Sequence, residues 1–201
     1  MPTRLGPKLE EHFMALKKKL ISTIGHSTRS TREFIKILKT FDIEVLVDIR
    51  HYPGSRFCPQ FGKANLRRNL TRNGIEYIHL LELGGRRPPA KDSDLNAGWR
   101  SGQFRGYADY MQTKEFKSGL KELIGIAKKS NVAIMCSEAV PWRCHRSMVG
   151  DALIAHGFQV IDLYSEKIAR PHKLTAFAQV NRTQVTYPKT NVKSPNLVAE
   201  K

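Results

Sequence analysis

Five short apolar runs set the rhythm of the chain, at residues 20–24, 44–49, 76–81, 132–136 and 158–163. Each has the length of a buried strand rather than a helix. Between them, apolar residues recur at helical spacing. Phe34, Ile37, Leu38 and Phe41 form one stripe, opened by Ser30-Thr31-Arg32-Glu33, a capping box in which the serine and glutamate reach across the first turn. Leu66 and Leu70 mark a helix over 62–73, closed by Asn73-Gly74. A short helical stretch at 106–112 precedes one at 113–129, with Phe116, Leu120, Leu123, Ile124 and Ala127 inward. A last helix ends at His156, capped by Gly157. Strands alternating with helices predict a parallel sheet with right-handed crossovers. The expected fold is a single three-layer α/β domain, with a mostly parallel sheet of about five strands and helices on both faces.

That domain spans 20–170. Residues 1–19 read as an N-terminal helical extension, with Leu9, Phe13, Leu16 and Leu20 on one face. Beyond Arg170 the periodicity fades, and 171–201 reads as a basic, flexible C-terminal tail. Residues 82–105 form a long loop rich in Gly, Pro and Arg, of a kind that serves as a lid or stays irregular.

The 201 residues carry a formal net charge of +16. A field of that sign attracts polyanions, so nucleic acid or a nucleotide is the expected partner. A lysine-rich solvated surface is the plainer alternative. No apolar run reaches the roughly 18–20 residues that span a bilayer. Three cysteines in a chain this long read as reduced thiols, which places the protein in the cytoplasm.

Ligands of open parallel sheets bind beyond the carboxyl ends of the strands. The strand ends deliver Gly25-His26-Ser27, Asp48 and Arg50, His79, and Cys136-Ser137-Glu138. This convergence says more than any single motif. Asp48 and Glu138 are the candidate acid/base pair, assisted by His26 or His145. Arg50, Arg56, Arg143 and Arg146, with Ser27 and the helix start at Cys144, are candidates for holding phosphate. Each has a structural alternative: Asp48 as a cap or an ion-pair partner, His26 as a turn residue, Cys136 as a small apolar side chain. Cys136 is also a candidate thiol nucleophile beside arginines and a helix N-terminus. The strand–Cys–loop–Arg–helix layout is similar to a phosphatase cradle, yet six residues separate Cys136 from Arg143 where that loop has five. Cys136, Cys144, His145, Glu138, Asp48 and His26 offer a mixed ligand set, but without a C-x-x-C or H-x-x-x-H pair no metal or other cofactor is assigned. Arg67, Arg68 and Arg72 on the basic helix and the Arg-rich loop at 84–105, with Phe61, Tyr77, Trp99, Phe104 and Tyr107 interleaved among them, could grip a phosphate backbone and stack on bases; the alternative is a solvated face and core aromatics.

Thr23-Ile24-Gly25-His26-Ser27, Val47-Asp48-Ile49-Arg50, Tyr77-Ile78-His79-Leu80, Leu83-Gly84-Gly85, Cys136-Ser137-Glu138 and Cys144-His145-Arg146 together resemble the family known as domain of unknown function 488. The resemblance covers about residues 20–165. It implies an α/β domain, a cytosolic setting, and a shared polar set of His26, Asp48, Arg50, Glu138, Cys144, His145 and Arg146. It implies no activity.

The reading that results is an enzyme acting on a nucleotide or nucleic acid, in the manner of a hydrolase or glycosidase. A non-catalytic nucleic-acid-binding module is the alternative, and a thiol-dependent enzyme a third.

Overall fold

The structure, a computed structural model, describes residues 20–54, 56–90 and 94–189. The helical extension expected over 1–19 and the end of the basic tail, 190–201, lie outside the described residues.

Six strands form one mixed sheet: β1 (Leu20–Gly25), β2 (Val45–Asp48), β3 (Glu76–His79), β4 (Val132–Cys136), β5 (Gln159–Leu163) and β6 (Ala169–Pro171). Their spatial order is β3-β2-β4-β1-β5-β6. All neighbours pair in parallel except β5 and β6. Five α-helices connect them: α1 (Thr31–Thr40), α2 (Lys63–Thr71), α3 (Gly102–Tyr110), α4 (Lys114–Ala127) and α5 (Arg146–Ala155). The expected single, mostly parallel α/β domain is the observed one.

The pleat sorts the core into two clusters. Val45, Val47, Val132 and Ile134 join Tyr107, Phe116, Leu120, Leu123, Met148 and Leu153 in one. Leu46, Ala133 and Met135 join Phe34, Leu38, Leu66 and Leu70 in the other. β2 and β4 are therefore apolar at every position up to Asp48 and Cys136 because both sides are covered.

Local chemistry accounts for most boundaries. Ser30 caps α1, its hydroxyl accepting from the Glu33 N–H at 3.2 Å, while the Glu33 carboxylate lies 3.7 Å from Arg29. β3 stops at His79 because Leu81–Leu83 winds into a 3-10 turn. The helix expected at 106 begins instead at Gly102. Gly106 does not break it; a side chain there would meet the Arg87 carbonyl at 2.1 Å, so glycine lets α3 pack against the loop.

The expectation of a flexible tail from 171 fails over 171–189. After β6, a hairpin of β7 (Gln179–Asn181) and β8 (Gln184–Thr186) carries Val185 and Tyr187 into the first cluster, both buried. Polar, proline-bearing sequence hides this because the anchors are few and the strands are three residues long.

Candidate active site

Parallel register brings the strand ends together. Gly25 pairs with Cys136, and Asp48 with Met135, so β1, β2 and β4 finish at one edge. The ladder continues past them: the His26 N–H donates to the Cys136 carbonyl and the Ile49 N–H to the Met135 carbonyl, both at 3.0 Å. The turn after β4 lies directly over the end of β1. A Cβ on residue 25 would fall 1.7 Å from the Glu138 carbonyl oxygen, so only glycine fits. Arg146, buried at the start of α5, donates through its guanidinium to the Glu138 and Ala139 carbonyls and holds this turn down.

A cavity of about 510 Å³ opens at this edge, in the size range of small-molecule sites. Its floor is Cys136, Cys144 and His145. The His145 Nδ1 lies 3.8 Å from each sulfur. Its Nε2 is 2.9 Å from the Ile49 carbonyl, which only accepts, so Nε2 carries the proton and Nδ1 turns its lone pair to the sulfurs. The Tyr107 ring packs edge-on against this imidazole, with centroids 4.8 Å apart. A hydrogen bond from the Cys144 thiol, with the Arg146 charge nearby, holds the Cys136 thiol well below its ordinary range, while burial pushes Cys144 up.

His26, Arg50, Glu138 and Arg143 also line the cavity. His26 has both nitrogens engaged. Nδ1 donates to the Ser27 carbonyl at 2.8 Å, and Nε2 lies 3.3 Å from Arg50 Nη1. Burial holds the ring neutral by lowering its pKa. Glu138 and Arg143 are exposed at the mouth.

Four expected site residues are placed elsewhere. Asp48 is fully buried and does not line the cavity. Its Oδ1 accepts from the Arg50 backbone N–H and Nε, and its Oδ2 from Arg50 Nη2 and the Tyr77 hydroxyl. A carboxylate so saturated beneath the sheet edge is a structural ion-pair partner, not an acid or base facing a ligand. Arg146 gives Nη1 and Nη2 to backbone carbonyls and does not line the cavity. Ser27 and the exposed Arg56 lie outside the cavity wall. Among the expected stacking faces, Phe61 is buried against His26, Tyr77 is buried on Asp48, and the Tyr107 hydroxyl donates to the Leu83 carbonyl. Phe104 alone of these reaches the cavity with an unburied ring, stacked on Trp99.

Sequence reasoning missed His51, Tyr52 and Gln103 in the wall and had Arg86 only as part of the Arg-rich loop at 84–105. They come from the loop after β2, the loop after β3 and the start of α3, and of these Arg86 and Gln103 stood in a segment whose composition marked it. A Cβ on Gly85 would sit 2.8 Å from His145 Nδ1, which explains the glycine after Leu83-Gly84. A second buried polar group was also missed. His172 Nδ1 lies 2.9 Å from Asp162 and its Nε2 3.4 Å from Asp151; Thr23 donates to Asp162 at 2.6 Å, and Tyr187 to Asp151 at 2.8 Å. Asp151 and Asp162 in otherwise apolar elements were the available signal.

The sequence profile of a family described as a domain of unknown function, DUF488, matches residues 30–153. The chain belongs to the DUF488 family. The DUF488 match takes in Arg50, Gly85, Cys136, Glu138, Cys144 and His145 of the cavity, while β1 with His26, and the C-terminal segment with His172 and Tyr187, lie beyond it. No curated protein and no solved structure matches the chain.

Proposed function

We propose that this DUF488 protein is an enzyme that takes a nucleotide, free or within a nucleic-acid strand, into the cavity and acts on it hydrolytically. The observation that carries the reading is the layering of one cavity: a floor of two thiols and an imidazole beneath a rim of Arg86, Arg143, Tyr52, Phe104 and Glu138. Arginines at the mouth suit phosphate, aromatic faces suit a base, and the buried reactive cluster has no use in a plain binder. Glu138, the one carboxylate on the wall among the described residues, is the proton carrier at the rim. Asp48 supports the wall through Arg50 and takes no part in proton transfer. The three buried cysteines suit a reducing, cytoplasmic setting.

The test is a binding and turnover panel of nucleoside mono-, di- and triphosphates and short single-stranded RNA and DNA. Glu138→Gln is expected to keep binding and lose turnover, and Arg86→Ala with Arg143→Ala to weaken binding. Absence of binding to every member of the panel would sink the reading.

A specific observation supports a second reading. Lys63, Arg67, Arg68 and Arg72 line an open groove of about 630 Å³ along the exposed side of α2. If oligonucleotide binding survives Glu138→Gln with no turnover anywhere in the panel, and falls on neutralising Arg67, Arg68 and Arg72, the protein is a nucleic-acid-binding module.

A further inference from the structure

We propose that Cys136 Sγ, Cys144 Sγ and His145 Nδ1 are three protein ligands of a zinc-class divalent cation, with a fourth position open to the cavity. These atoms all lie within 4.8 Å of one another. A tetrahedral zinc ion with ordinary bond lengths places sulfur and nitrogen ligands about 3.6 Å apart, and two sulfurs about 3.8 Å apart. The two sulfur-to-Nδ1 distances are both 3.8 Å, within a few tenths of an ångström of that sulfur-to-nitrogen spacing.

The surroundings are arranged as they are around metal ligands. The Ile49 carbonyl holds the proton of His145 on Nε2 and aims the Nδ1 lone pair at the sulfurs, the outer-shell hydrogen bond that orients a ligating imidazole. The Arg146 backbone N–H points at Cys144 Sγ from 3.5 Å, as suits a thiolate. Gly85 keeps clear the space beside Nδ1 that a side chain would fill. Two thiolates and a divalent cation sum to no net charge, which removes the cost of burying a thiolate under the sheet edge.

The spacing along the chain conceals the site. Seven residues separate the two cysteines because one ends β4 and the other precedes α5, so no short ligand pair appears. Three protein ligands and an open fourth position are the pattern of a catalytic rather than a structural zinc. The open position faces the same wall as Glu138, where a bound water would be held for hydrolysis with the carboxylate as proton acceptor. Only this last use rests on the proposed function; cation binding does not.

The experiment is cobalt(II) titration of the full chain after chelator treatment, with zinc content measured on the protein as purified. One equivalent of cobalt is expected, with the visible bands of a tetrahedral ion and a sulfur-to-metal charge-transfer band, and zinc is expected to raise the melting temperature. Cys136→Ser and Cys144→Ser should each lose the charge-transfer intensity contributed by one sulfur, and Cys58→Ser should keep both. Gly85→Ala retains every ligand, so it serves where a cysteine variant fails to fold. It is expected to weaken cobalt binding at least tenfold with unchanged far-ultraviolet circular dichroism. An octahedral spectrum without charge transfer, binding indifferent to Cys136 and Cys144, or a Cys136–Cys144 disulfide in the protein as purified would each overturn the proposal. Cobalt binding without nucleotide turnover keeps the metal site and removes the enzyme reading; turnover in protein that binds no cobalt does the reverse.

Discussion

Arg50 closes a two-pronged ion pair on Asp48, with Nη2 2.6 Å from Oδ2 and Nε 2.9 Å from Oδ1, and both side chains are buried. Removing one partner leaves the other charge without compensation in a dry environment. Asp48→Ala is expected to lower stability by about 3–5 kcal/mol, since Arg50 and the Tyr77 hydroxyl both lose their acceptor. Urea denaturation measures this. A near-native midpoint together with lost turnover would instead return Asp48 to the chemistry.

The Asp162–His172–Asp151 group predicts a pH dependence of stability. Burial disfavours the His172 cation, but the hydrogen bonds and charges of Asp151 and Asp162 outweigh it and push the pKa from 6.5 up to about 9. The folded state then binds the proton more tightly than the unfolded chain. The resulting stabilisation is complete below about pH 6.5 and is lost as pH rises through about 9, on the order of 3 kcal/mol in all. Denaturation midpoints of the protein and of His172→Gln, followed from pH 6 to 10, check this. The alkaline fall should be absent in the variant.

Truncation separates the two parts of the C-terminal region. A chain ending at Lys189 is expected to fold as the full chain does. One ending at Arg170 loses Val185 and Tyr187 from the core and leaves Asp151 without its Tyr187, Thr175 and His172 partners. Burial of a side chain the size of tyrosine contributes roughly 1.5–3 kcal/mol, and each buried charge left unpaired costs more. Loss of a cooperative thermal transition in the shorter chain alone is the expected result.

The cationic side of α2 predicts salt dependence. If Arg67, Arg68 and Arg72 contact the phosphates of a single strand, replacing all three by Gln should lower the slope of log affinity against log salt by about 2. An unchanged slope in fluorescence anisotropy would mean that α2 is a solvated face and that any binding runs through the cavity.

Apolar runs and helical stripes were enough to place five strands and their parallel order of travel, because an element buried on both sides must be apolar throughout and an amphipathic one must repeat at 3.6. The same reasoning located the edge at which the site forms, since parallel strands deliver their final residues together. Glu138, His26 and Cys136 were named on that ground, Cys144 and His145 from the start of the following helix, and all five line one cavity.

Whether a polar residue at that edge faces the ligand or the sheet is a matter of a single rotation, and sequence carries no record of it. Asp48 and Glu138 looked alike as carboxylates following strands, yet one lies saturated under Arg50 and the other stands at the rim. Arg143 and Arg146 are three residues apart, and the 3-10 turn Pro141–Arg143 turns the first outward while α5 draws the second beneath the Glu138 turn. The chain alone determined which residues arrive at the strand ends, through hydrophobic burial that is periodic and local. Only the tertiary structure decided which of them meet, because hydrogen-bond partners such as Ile49 for His145, or Tyr187 for Asp151, come from segments far apart in sequence and are chosen by packing.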